Sequence, residues 1–284
     1  MTTSARAACV IGWPIGHSRS PLIHNYWLKA YGIAGQYRRE AVPPEKFGAF
    51  VQTLAARGYV GANVTVPHKE AALALTQPDD RARAVGAANT LWFDGVLRAT
   101  NTDVEGFLDN LTACAPDWSR NANKAVVLGA GGAARAVVYG LLERGVARVV
   151  VVNRSPARAE ALRERFGARV EPASWNARNA TLADTALLVN TTTLGMHGQP
   201  NLVLDVGQLP SHAIVADLVY VPLITPLIRT ARARDLATAD GLGMLLHQAV
   251  RGFSLWFGKT PEVTAELRAL LEADLSLPQA SQSE

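Results

Sequence analysis

Short apolar runs bounded by glycine, proline or polar residues alternate along the chain with longer stretches of helical periodicity. Residues 7–11, 125–128, 187–189 and 214–216 are apolar without alternation, as is 148–152 after its leading Arg148, the pattern of strands buried on both faces. Residues 61–66 read differently. Val64 and Val66 alternate with Asn63 and Thr65, so this strand has one apolar and one polar face. A second strand is expected over 37–42, and Val170 marks another. Helices are predicted over 22–31, 44–57, 104–114, 133–144, 225–234, 241–257 and 261–274. Pro21 opens the first with Ser20 as its N-cap, and Gly58 and Gly145 close the second and fourth. The dipeptide Asp94-Gly95 predicts a hairpin pairing 91–93 with 96–97. Strands that alternate with helices in this way imply an α/β fold built on largely parallel sheets.

A chain of 284 residues has room for about two such domains. The polar stretch 116–123 is the natural boundary. With 18% charged residues and a net charge of +4 that is not gathered into a run or arm, nucleic-acid binding is not expected. No apolar stretch approaches a membrane span, and the N-terminus lacks the apolar core of a signal peptide, so a cytoplasmic protein with no membrane partner is expected. Two cysteines and six histidines without ligand spacing provide neither a disulfide framework nor a metal site.

Candidate chemistry begins at residues 124–135, where a buried strand runs into Gly129-Ala-Gly-Gly-Ala-Ala134 and then a helix. Gly129, Gly131 and Ala134 fit the dinucleotide fingerprint G-x-G-x-x-G/A, with Ala130, Gly132 and Ala133 completing the loop. In that motif the first glycine permits a tight turn and the second admits the pyrophosphate to the backbone. The helix amides and dipole then favour the bound anion. Where the next strand ends, NAD-binding domains carry an acid for the ribose 2′-hydroxyl. This chain has Asn153, Arg154 and Ser155, with Arg158 one helical turn on. Two guanidiniums without a carboxylate suit a 2′-phosphate, so the cofactor expected is NADP.

Polar residues also collect at the ends of elements before residue 104. Ser18 and Ser20 lie at a helix start, where their hydroxyls either cap the helix or receive a small anion. Asn63 and Thr65 form the polar strand face, and Lys69 falls in the first turn of the next helix, at the positive end of its dipole. Asn89 and Asn101 add amides, and Asp103 precedes a helix that it could simply cap.

The segments 12–21, 63–69, 101–107, 129–135, 190–196, 217–227 and 240–258 together resemble the shikimate dehydrogenase family, in order and over nearly the whole chain. The resemblance implies that Ser18 and Ser20 hold a substrate carboxylate. It likewise implies that Asn63, Thr65, Asn89, Tyr220 and Gln248 bind the rest of the substrate, and that Lys69 and Asp103 are the catalytic pair. Leu218 and Gly241 would contact the cofactor. Read without the resemblance, Tyr220 is half-buried packing. Trp13 and Gly16 depart from the commonest family pattern without removing a ligand.

The fold implied is a two-domain α/β protein. Residues 1–103 form an N-terminal α/β substrate domain, 104–120 a connecting helix and linker, and 121–240 a Rossmann-type dinucleotide-binding domain for NADP. Residues 241–284 are C-terminal helices packing back on the first domain. The implied reaction is reversible, NADPH-dependent reduction of 3-dehydroshikimate to shikimate, on the route to chorismate and aromatic amino acids. The partner expected is thus a small-molecule substrate, and the protein itself a monomer or, by preference, a homodimer. The alternatives are a quinate/shikimate dehydrogenase of broader substrate use and a non-catalytic NADP-binding protein.

Overall fold

Short strands gather into two separate sheets, and the all-apolar ones lie inside them, seen in a computed structural model that describes residues 6–277. The chain divides into two units. One comprises the residues up to Thr102 together with Gln248–Leu271; the other runs over Asp103–His247 and resumes at Glu272.

The first unit contains β1 (Arg6–Gly12), α1 (Ser20–Ala30), β2 (Gly35–Ala41), α2 (Pro44–Gln52), β3 (Tyr59–Val64), α3 (Lys69–Ala74), β4 (Gln77–Pro78), α4 (Asp80–Val85), β5 (Thr90–Asp94) and β6 (Val96–Thr100). Its sheet has the order β2-β1-β3-β5-β6-β4. β1 pairs in parallel with β2 and β3, while β3–β5 and β5–β6 are antiparallel. The hairpin at Asp94-Gly95 is present and pairs Leu91 with Ala99. One sheet face is covered by a core that includes Phe47, Phe50, Leu54, Tyr59 and Leu91. An aromatic group of His24, Trp27, Tyr37, Phe253 and Trp256 forms a second core region, which the segment Gln248–Leu271 helps to build. Trp256 donates its indole N–H to the Leu91 carbonyl at 2.8 Å, and Trp27 donates to that of Glu262 at 3.0 Å.

His24 is wholly buried and stacked on Tyr37, with ring centroids 4.1 Å apart, and neither ring nitrogen has a hydrogen-bond partner. Burial drives its pKa down to about 3, against a smaller opposing influence of the Asn63 amide.

The second unit contains α5 (Asp103–Cys114), α6 (Trp118–Asn121), β7 (Lys124–Leu128), α7 (Gly132–Glu143), β8 (Arg148–Asn153), α8 (Pro156–Phe166), β9 (Val170–Ser174), β10 (Leu187–Asn190), β11 (Ile214–Asp217), α9 (Pro226–Arg232) and β12 (Ala237–Ala239). α10 (Gly241–Phe257) begins in this unit and continues into the first; α11 (Ala265–Ser276) follows. All six strands run parallel in the order β12-β11-β10-β7-β8-β9. β8 and β9 lie on one side of β7 and the later strands on the other. The strand order therefore reverses between β7 and β10, and the carboxyl ends at such a reversal are where ligands bind in open parallel sheets. The α/β class and the two-domain organisation expected from the sequence are those observed.

Several boundaries differ from the periodicity. α2 stops at Gln52, not at Arg57: the Thr53 N–H and hydroxyl both share the Ala49 and Phe50 carbonyls, and the Leu54 amide bonds Val51 O, one residue short of the α-helical spacing. Arg19, not Ser20, is the N-cap of α1, which leaves the Ser20 hydroxyl outside a capping role. The last helix starts at Ala265 because Thr264 accepts the Leu267 amide and so acts as the cap. β12 escapes a sequence reading, since its three residues are too few to show a period.

Candidate active site

In the first unit, the proposed substrate residues sit at the carboxyl ends of β1 and β3 and at the start of β5, joined by backbone hydrogen bonds. Thr65 N–H donates to Ile11 O at 2.9 Å, and Val64 N–H to Asn89 O at 2.8 Å. Ala88 N–H donates to Lys69 O at 2.9 Å, which ties the first residue of α3 to the segment carrying Asn89. Lys69 and Thr65 are partly exposed, whereas Asn63 and Asn89 are buried. Ser18 is tethered from β2: the Arg39 guanidinium donates to its carbonyl through Nε at 3.0 Å and Nη2 at 2.7 Å. Ser20 N–H reaches Ser18 Oγ at 3.4 Å. Gln248 is buried in α10.

Behind these groups lies a buried polar chain. Tyr37 donates its hydroxyl to Asn63 Oδ1 at 2.6 Å. Asn63 Nδ2 donates to Asn89 O at 3.2 Å and to Thr90 Oγ1 at 3.0 Å. Asn89 Oδ1 accepts from Thr102 N–H at 2.7 Å and from Thr90 Oγ1 at 3.1 Å. Burial holds the Tyr37 phenol well above its usual pKa, so it remains a donor across the working range. His68, beside the motif, is a packing residue: it stacks on Phe47 at 4.3 Å, and its Nε2 lies 2.7 Å from the Val42 carbonyl.

In the second unit, Gly129 ends β7 at φ +104°, a conformation that favours glycine, and a β-carbon there would lie 2.7 Å from Thr191 Oγ1. Its N–H bonds Val152 O at 2.9 Å, and Thr191 Oγ1 bonds Leu128 O at 2.7 Å, so the turn is pinned between β8 and the end of β10. No side chain caps α7, and Gly131 and Gly132 are exposed at its start with no heavy atom near their would-be β-carbons. That is an open cradle of backbone amides for a phosphate. At the end of β8, Asn153 Nδ2 bonds Ser155 O at 2.9 Å, while Arg154 and Arg158 are exposed. An amide, two guanidiniums and no acid fit a 2′-phosphorylated dinucleotide. Leu218 and Tyr220 are partly buried in the segment after β11. Gly241 opens α10 so close to Leu218 that a β-carbon would overlap the Leu218 carbonyl. Asp103 is the first residue of α5 and partly exposed.

Sequence reasoning quoted Asp217 without giving it a role. It is buried where three segments meet, accepting from Asn190 Nδ2 at 2.9 Å, Val219 N–H at 3.1 Å and the Thr225 hydroxyl at 2.6 Å. Burial raises its pKa to about 6 despite these donors. Tyr37, Arg39, Thr90 and Thr102 also went unassigned. Tyr37 alone left a trace, as an aromatic on an otherwise polar strand.

Three family models match the sequence: shikimate dehydrogenase substrate binding domain over residues 10–91, shikimate / quinate 5-dehydrogenase over 115–198, and shikimate 5′-dehydrogenase C-terminal domain over 241–271. The shikimate dehydrogenase (NADP(+)) of Rhodopseudomonas palustris (strain TIE-1) is 65% identical over 277 residues, covering 97% of this chain and 99% of the relative. Shikimate 5-dehydrogenase from Thermus thermophilus, solved with NADP(H) and shikimate, is similar with a TM-score of 0.82 at 35% identity, over 95% of this chain and 99% of that one. Quinate dehydrogenase from Corynebacterium glutamicum, solved with NAD, gives a TM-score of 0.88 at 30% identity over 95% and 99%.

Proposed function

Since the chain belongs to the shikimate dehydrogenase family, we propose that it catalyses the reversible, NADPH-dependent reduction of 3-dehydroshikimate to shikimate. The observation that carries the reading is the tethering of the Asn63, Thr65, Lys69 and Asn89 segments to one another at one end of the first sheet.

Bound NADPH supplies the hydride that reduces the substrate carbonyl carbon. Lys69 acts as the acid that delivers a proton to the carbonyl oxygen; in the oxidative direction it takes the hydroxyl proton back. Asp103 is its partner and orients the reacting hydroxyl. The hydroxyls of Ser18 and Ser20 hold the carboxylate, on a loop that the Arg39 guanidinium braces. Asn63, Thr65, Asn89, Tyr220 and Gln248 take the remaining polar groups of the ring. Gly129, Ala130, Gly131, Gly132 and Ala133 cradle the pyrophosphate. Asn153, Arg154, Ser155 and Arg158 meet the 2′-phosphate end, and Leu218 and Gly241 contact the cofactor's other end. In domain terms, residues 1–103 with the helices of 241–284 serve the substrate, 121–240 serve NADP, and 104–120 connect them.

Initial rates with shikimate and NADP, beside a quinate and NAD panel, test the reading. Turnover of shikimate with NADP is expected to dominate. Preference for quinate with NAD would favour the broader enzyme, and no turnover would leave only a binding protein. The double variant Arg154→Ala/Arg158→Ala is expected to raise KM for NADP about a hundred-fold, since each charge-assisted bond contributes roughly 1.5–3 kcal/mol. KM for shikimate should hold. A change in NADP KM below about three-fold would remove the arginines from the 2′-phosphate site.

The proposal includes a cytoplasmic protein, monomeric or preferably homodimeric. Sedimentation equilibrium distinguishes the two states. Among the described residues, no helix is long and apolar enough to cross a membrane.

A further inference from the structure

The buried polar chain of the first unit contains two partners of fixed polarity. Asn89 O is a backbone carbonyl and can only accept, so the atom of Asn63 that faces it at 3.2 Å is the amide nitrogen. Thr102 N–H can only donate, so the atom of Asn89 that it meets at 2.7 Å is the amide oxygen. Thr90 stands between the two amides, fully buried. Its Oγ1 accepts from Asn63 Nδ2 at 3.0 Å, donates to Asn89 Oδ1 at 3.1 Å, and lies 3.1 Å from Thr102 Oγ1. Both hydrogens of Asn63 are thereby engaged, and Tyr37 takes one lone pair of its oxygen. The other lone pair remains as an acceptor. In Asn89 the oxygen is engaged by Thr102 and Thr90, which turns its nitrogen, a donor of two hydrogens, away from them.

We infer that Thr90 is a positioning residue whose hydroxyl locks the amides of Asn63 and Asn89 in opposite senses. Asn63 thus presents an acceptor to the substrate ring, and Asn89 presents a donor. This rests on the assignment of Asn63 and Asn89 to the substrate made above. Without the Thr90 hydroxyl, Asn63 keeps Tyr37 and Asn89 O but loses the partner of one amide hydrogen, and Asn89 keeps Thr102 on its oxygen but loses Thr90. Each amide is then held by fewer bonds, and its substrate-facing group is less firmly placed.

The test compares Thr90→Ser with Thr90→Ala, which both lack the methyl and differ only in the hydroxyl. Thr90→Ala is expected to lower kcat/KM for shikimate by about ten-fold or more, as loss of a buried hydrogen bond does, and to leave KM for NADP unchanged. Thr90→Ser should stay within about three-fold of the wild type. In an Asn89→Ala background the Thr90→Ala loss should shrink to about a third or less, because half of its route to the substrate is already gone. Equal losses for serine and alanine, or an undiminished loss in the Asn89→Ala background, would overturn the positioning role and leave the proposed reaction untouched. If the wild type itself fails to turn over shikimate with NADP, the reaction and this inference fall together. Should Thr90→Ala not fold, Thr90→Val, which keeps the volume, takes its place in the same comparison.

Discussion

Lys69→Ala is expected to lower kcat for shikimate oxidation roughly a thousand-fold, within the range that a positioned acid or base contributes. The lysine is the first residue of α3, and its carbonyl is fixed to the Ala88 amide beside Asn89. Its removal takes away the proton donor and acceptor. The side chains that carry substrate binding in the proposal, Ser18, Ser20, Asn63 and Asn89, are left in place. The loss should thus fall on kcat, with KM for shikimate changing less than about ten-fold and KM for NADP not at all, as for a group that acts mainly in the transition state. Steady-state rates followed through NADPH absorbance provide the check. A variant retaining more than about a tenth of wild-type kcat would remove Lys69 from the acid/base role. Asp103→Asn keeps a hydrogen-bonding oxygen in the side chain. If Asp103 orients without transferring a proton, this variant should lose less than Lys69→Ala.

His24→Phe is expected to make the protein markedly more resistant to acid. In the fold His24 is neutral, with a pKa of about 3, whereas an unfolded histidine titrates near 6.5. Below about pH 6.5 the unfolded chain therefore binds a proton that the folded chain excludes. This contribution to stability is complete above the unfolded pKa and is lost as pH falls toward 3, up to about 5 kcal/mol in all. Between pH 6.5 and pH 5 alone the loss is roughly 2 kcal/mol, a sizeable fraction of an ordinary domain's stability. Phenylalanine keeps the stacking on Tyr37 and removes two ring nitrogens that have no partner. Urea denaturation at pH 7 and pH 5 should show a smaller difference for the variant than for the wild type. Parallel profiles would show that His24 does not control the acid limb.

Much of the architecture is legible in the chain because its signals are local. The all-apolar runs at β7, β8 and β10 declare strands buried on both faces. The glycines after β7 declare a turn, which backbone geometry favours for glycine at Gly129, and the missing acid after β8 declares the phosphorylated cofactor. The candidate substrate residues also show in outline, since strand ends rich in Ser, Asn, Thr and Lys are unusual in segments that are otherwise apolar. Helix ends such as Thr53 and Thr264 are less legible. There a side-chain hydroxyl competes with the backbone, and the outcome depends on a single rotamer.

Residue types and their spacing were enough to determine the α/β class, the nucleotide loop and the choice of NADP, because each depends on neighbours within a few turns of backbone, and the family, because seven such local segments recur in order along the chain. Only the tertiary structure decided what His24, Tyr37, Thr90 and Asp217 do. Their partners come from distant segments: Asn63 lies 26 residues from Tyr37, and Asn190 lies 27 from Asp217. A histidine becomes a buried neutral base, a threonine the hub between two amides, and an aspartate a cross-link between strand ends only once folding has removed water and set their partners. Desolvation and hydrogen-bond polarity act through space, and no pattern of nearby residues encodes them.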